Sequence, residues 1–118
     1  MRYFRYDILL PTEWSNDCIS IYMDKIHHIA IEVKNISESV QWYADHTDCH
    51  IEYKDDTWAM LRYDNISLAL VLPSQHPPHI CFQKEDAEKY GKLDTHRDGT
   101  KSVYIKDPSG NTIEMLDV

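Results

Sequence analysis

The stretch KIHHIAIEV, residues 25–33, alternates along an extended strand. Successive side chains of a strand point to opposite faces. Ile29, Ile31 and Val33 therefore share one apolar face, and His28, Ala30 and Glu32 share the other. A second stretch, PPHICFQ at 77–83, repeats the pattern: Ile80 and Phe82 on one side, His79, Cys81 and Gln83 on the other. HIAIEVKNISES from His28 and HICFQKEDAEKY from His79 align at an offset of 51 residues.

An internal repeat dictates architecture. After the first strand, Asn35 is a candidate helix N-cap with Glu38 at capping-box spacing. Ile36, Val40 and Tyr43 follow at helical intervals, predicting a helix over 36–46. Extended segments are expected at 50–54, 57–63 and 66–72, the last ending at Pro73. After the connector PSQHPP the order restarts. It runs through a strand at HICFQ, a short helix in KEDAEKYGK, a weak strand at 93–97, and two strands, KSVYIKD and NTIEMLDV, about the turn DPSG. The fold class is α+β: two βαβββ modules, about 25–72 and 78–118, forming a curved sheet around a cleft, with a helix expected on the outer face of each.

With 118 residues the chain suits one domain. That domain is expected to span 23–118, because the regular pattern begins just after Met23. Residues 1–22 lack a clean period and are expected to be an extension outside the core; an extra strand or arm packing on the domain is the alternative. A net charge of −8 argues against nucleic acid or an anionic membrane as partner. No apolar run approaches the roughly 18–20 residues that a membrane-crossing helix needs. Three widely spaced cysteines, Cys18, Cys49 and Cys81, fit reduced thiols and a cytoplasmic location better than disulfides or a zinc knuckle.

The polar face carries the chemistry. His28 and His79 open the two repeats on that face. In the last strand Ile113 and Met115 are expected to be buried, which turns Thr112, Glu114 and Leu116 toward the cleft. Ser102, Tyr104 and Lys106 face it from the strand before. Two histidines and a carboxylate with open positions form a known type of metal site. The other histidines have plainer expectations. His27 is expected on the helix-side face or near the strand start, in a structural role; His46, His50, His76 and His96 fall in helix ends or connectors and are expected to be solvated. Cys81 is expected to be a small packing residue beside His79, with no cation evident to activate it. The face chosen by Trp58 is ambiguous, and Arg62 and Lys106 are expected at the surface.

HHIAIEVKNISESVQWY, HICFQ and SVYIKDPSGNTIEMLD together resemble the vicinal oxygen chelate superfamily of glyoxalase I, extradiol dioxygenases, fosfomycin-resistance enzymes and bleomycin-resistance proteins. The resemblance covers about residues 25–118, and DP-x-GN-x-IE is its most specific part. It implies one divalent metal ion (Fe, Mn, Ni, Co or Zn) held by His28, His79 and Glu114. The ion would act as a Lewis acid on a small substrate with two adjacent oxygens, in lyase, isomerase or dioxygenase chemistry. Glu32 and Tyr104 are the catalytic candidates in the cleft. The resemblance also implies a homodimer. The alternative it leaves open is a drug-binding protein of the bleomycin-resistance type without catalysis. The sequence departs from glyoxalase I at Ala69, where a fourth ligand is expected, and from the fosfomycin thiol transferases at Ala30, where they carry threonine.

Overall fold

A computed structural model describes residues 23–117. The extension expected over residues 1–22 lies outside the described residues. The first module contains β1 (Lys25–Glu32), α1 (Ile36–His46), β2 (His50–Lys54), β3 (Trp58–Arg62) and β4 (Ser67–Val71). The second contains β5 (His79–Lys84), a single 3₁₀ turn (Ala87–Tyr90), β6 (Asp94–Thr95), β7 (Lys101–Lys106) and β8 (Thr112–Asp117). All eight strands form one sheet in the order β2-β3-β4-β1-β5-β8-β7-β6. The order is symmetric about its middle. β1 and β5, the first strands of the two modules, pair antiparallel, and each has the last strand of its own module parallel on its other side.

Local chemistry sets the ends of the elements. The Asn35 side chain accepts a hydrogen bond from the Glu38 N–H at 2.8 Å, capping α1 where the sequence predicts it. In the β7–β8 turn the Asp107 carboxylate accepts from Ser109 N, Asn111 N and Asn111 Nδ2 at 2.8–2.9 Å. Gly110 supplies the positive φ of 90° that the turn requires. That turn fixes how β7 and β8, and with them Tyr104 and Glu114, lie beside each other.

The main core is beneath α1. Ile36 and Val40 of the helix pack on Ala59, Leu61 and Leu70, with Ile31, Val33 and Leu68 at the margin. The opposite, concave face holds a smaller apolar cluster of Ala30, Ala69 and Val71 with Trp58 and Met60. Trp58, ambiguous in the sequence, thus belongs to the concave face.

Two expectations need correction. The helix of the second module is only a four-residue 3₁₀ turn, ended by Gly91. KEDAEKYGK carries one buried apolar residue, Ala87, and has no apolar stripe to hold a longer helix on the sheet. As a result Ile29 and Ile80, expected beneath helices, are 37% and 36% exposed. They pair across the β1–β5 junction, between the area α1 covers and the 3₁₀ turn.

The stability of the fold should follow this asymmetry. Leu61→Ala should cost about 2–5 kcal/mol in urea unfolding followed by circular dichroism. Ile80→Thr should cost less than about 1 kcal/mol. Equal losses would contradict a core centred under α1.

Candidate metal centre

The registers show how the site is assembled. His28 on β1 lies opposite Cys81 on β5, Cys81 opposite Glu114 on β8, and Glu114 opposite Tyr104 on β7. These four residues form one row across the concave face. His79 is in the neighbouring row, opposite Ala30. Adjacent strands are about 4.8 Å apart, so His28 and Glu114 stand on backbones roughly 10 Å apart, with only Cys81 between them. Cys81 is completely buried and small enough for the longer side chains to meet above it.

They meet closely. His28 Nε2 lies 3.1 Å from His79 Nε2 and 3.4 Å from Glu114 Oε1, and His79 Nε2 lies 3.0 Å from the same Oε1. Ligand atoms about 2.1 Å from one ion sit roughly 3.0 Å apart at right angles and roughly 3.4 Å apart at tetrahedral angles. The three spacings fall in that range, and all three residues are at least nine-tenths buried. Two imidazoles and a carboxylate suit Fe, Mn, Ni, Co or Zn. All three side chains belong to a single chain.

Further contacts hold these three side chains. His79 Nδ1 lies 2.7 Å from the Pro77 carbonyl oxygen, so its N–H donates there. Nε2 then donates to Glu114 when the ring is protonated and offers its lone pair to an ion when the ring is neutral. His28 Nδ1 lies 2.7 Å from Nδ1 of His27. The second oxygen of Glu114 has His96 Nε2 at 3.5 Å, and the same His96 nitrogen is 2.7 Å from Ser102 Oγ. Burial raises the Glu114 pKa, but hydrogen bonds from His28, His79 and Ser102 outweigh it and hold the carboxyl well below its usual range. For His79, burial opposes the charged ring; the bonds to Glu114 and Pro77 prevail and raise its pKa. Burial and then His28 lower the pKa of His27.

The remaining residues take varied positions. Tyr104 stands its ring edge-on to His79, centroids 5.2 Å apart, and is 39% exposed. Burial and the Glu114 charge push its phenol pKa up, which keeps the hydroxyl protonated. Glu32 is exposed on the same face, four residues from His28 and so roughly 13 Å along the strand. It is outside the group of converging ligand atoms. Ala69 pairs with Ala30 as Ser67 pairs with His28. Extending the β5–β8 register by one residue sets Thr112 opposite His79, so Ala69 occupies in module one the place of Glu114 in module two.

One residue departs from its sequence expectation. His96, expected to be solvated, is half-buried against Ser102 and Glu114. The hairpin that carries it closes through the His96 N–H to the Thr100 carbonyl at 2.7 Å, with Gly99 at positive φ. No periodicity marks a histidine that approaches from a strand two residues long. His27, expected on the helix-side face or near the strand start, lies near the start of β1 with its ring against His28.

No family model and no curated protein matches the sequence. Solved structures do match the fold. A hypothetical protein from Bacillus halodurans superposes with a TM-score of 0.65 at 13% identity, over 80% of this chain and 94% of its own. A glyoxalase/bleomycin resistance protein/dioxygenase superfamily member from Vibrio splendidus gives 0.63 at 14%, over 81% and 100%. Methylmalonyl-CoA epimerase from Mycobacterium tuberculosis gives 0.62 at 15%, over 79% and 87%. The chain therefore has the fold of the glyoxalase/bleomycin resistance/dioxygenase superfamily, the paired modules that its sequence resembles.

Cys81 gives a direct check of the row. Cys81→Ala should leave metal affinity unchanged in a chelator competition. Cys81→Leu should fill the gap beneath the ligands and weaken affinity by at least the roughly 10–100-fold typical of disturbed ligand support. Loss of binding in the alanine variant would make the thiol a ligand instead.

Proposed function

We propose that the protein is a small metal-dependent enzyme in which His28, His79 and Glu114 hold one divalent ion against a small substrate with two adjacent oxygens. The observation that supports this best is the convergence of three buried ligand atoms from β1, β5 and β8 within 3.4 Å of one another. The ion, when bound, would supply Lewis-acid stabilisation of negative charge developing on a substrate oxygen, in a lyase, isomerase or dioxygenase type of reaction.

The chain's own groups would do the rest. Ala30 and Ala69, small side chains on the same face as the ligands, pack with Val71, Met60 and Trp58 in an apolar cluster that would receive the carbon side of a substrate. A substrate bound there loses water on its carbon side while its oxygens face the ligands. Tyr104, protonated and beside His79, would donate a hydrogen bond to a substrate oxygen at the open edge. Glu32 would serve as a base only for a substrate long enough to extend along β1. Methylmalonyl-CoA epimerases share the fold, so acyl-CoA epimerisation belongs among the reactions to assay. The homodimer implied by the sequence resemblance is part of this proposal.

A second reading, a drug-binding protein of the bleomycin-resistance type, draws on the alanine at position 69 and the stacked Tyr53–Trp58 pair, centroids 4.6 Å apart. It needs no metal.

Elemental analysis after mild purification separates the two. The enzyme reading predicts close to one transition-metal ion per chain in wild type and none in His79→Ala. Its identity then selects the assays: oxygen uptake with catechols for iron, isomerase, epimerase and thiol-transfer panels for the others. A wild type that takes up none of these ions on incubation would rule out the enzyme reading in favour of the binder.

A further inference from the structure

In a regular strand, two adjacent histidines point to opposite faces. His27 would then lie on the convex side with Ile29. The β1–β5 register breaks this rule: Ile26 pairs with Phe82, yet His28 pairs with Cys81, so one residue of β1 is extra. The extra residue is His27. A bulge of this kind re-aims a side chain. It returns Ile26 to the convex face opposite Phe82 and leaves the His27 ring in contact with His28. The two rings stand edge to face at 79°, with their Nδ1 atoms 2.7 Å apart.

Two nitrogens at that distance share one proton. His28 directs Nε2 toward His79 and Glu114, and a neutral imidazole that presents a lone pair at Nε2 carries its proton on Nδ1. We propose that His27 is a positioning residue, accepting the Nδ1–H of His28 on its own Nδ1 and so fixing both the tautomer and the ring orientation in which His28 Nε2 faces the metal. The Pro77 carbonyl does the same for His79. This rests on the metal-site reading above and adds a residue to it that touches neither ion nor substrate. It also assigns a purpose to the bulge: at this place in the strand only an irregular backbone brings the preceding side chain alongside its neighbour.

The test compares Zn(II) and Co(II) affinities of the full chain by chelator competition, for wild type, His27→Phe and His27→Gln. Phenylalanine keeps the ring without an acceptor, and glutamine offers an amide oxygen. The expected result is a roughly 10–100-fold loss for His27→Phe, as for other outer partners of metal ligands, with most of it regained in His27→Gln. A measurement on wild type alone covers the case in which a variant does not fold. Long-range ¹H–¹⁵N spectra of the zinc-loaded protein should show His28 protonated at Nδ1 and metal-bound at Nε2, and His27 protonated at Nε2. His27→Phe binding as tightly as wild type, equal losses in both variants, or zinc on a His27 nitrogen would overturn this inference and leave the metal site standing. No metal binding by wild type would overturn both.

Discussion

The antiparallel pairing of β1 with β5 is the constraint on which the rest of the structure depends. It joins the two modules into one sheet and makes the centre of that sheet the place where His28, His79 and Glu114 meet. Because β8 lies parallel on the far side of β5, a single row crosses from His28 over Cys81 to Glu114. A slip of one residue in either pairing would move a ligand to the convex face. The sheet thus determines the site through register, and three residues far apart in sequence need no loop to bring them together.

That arrangement puts an ionised carboxylate and two imidazoles in a nearly dry place. Burying a charge is costly unless it is paired and hydrogen-bonded. Glu114 has His28 and His79 at one oxygen and His96 at the other, with a further hydrogen bond from Ser102. The stability of the fold is supplied elsewhere, by the apolar contacts under α1. Packing and chemistry therefore occupy opposite faces of the sheet, which leaves the concave side free to be specialised.

Much of this was legible in the sequence, because period-two alternation in β1, β5 and β8 reports which side chains share a face. The repeat beginning at His28 and His79 gave the module order, and Asn35 and Asp107 marked an N-cap and a turn through their own hydrogen-bonding chemistry. Three features were not legible, each for a physical reason. The bulge at His27 depends on how two strands pair, and strand periodicity assumes regular pairing. His96 reaches Glu114 through a hairpin whose strand β6 is too short to show a period. The second helix shrank to one turn because helix formers such as Glu and Lys favour the state locally, while an apolar stripe is needed to hold it on a sheet.

The central claim is that one divalent ion is bound by two imidazole nitrogens and one carboxylate oxygen from a single chain. X-ray absorption at the metal edge of the zinc-loaded protein tests it most directly, because a second combination, His27, His28 and Cys81, also brings ligand atoms close together. The site described here predicts a first shell of nitrogen and oxygen only, at about 2.0–2.2 Å, with the outer scattering of two imidazole rings. A sulfur neighbour at about 2.3 Å would contradict it, since the ion would then sit on Cys81 and the row from His28 to Glu114 would not be the metal centre.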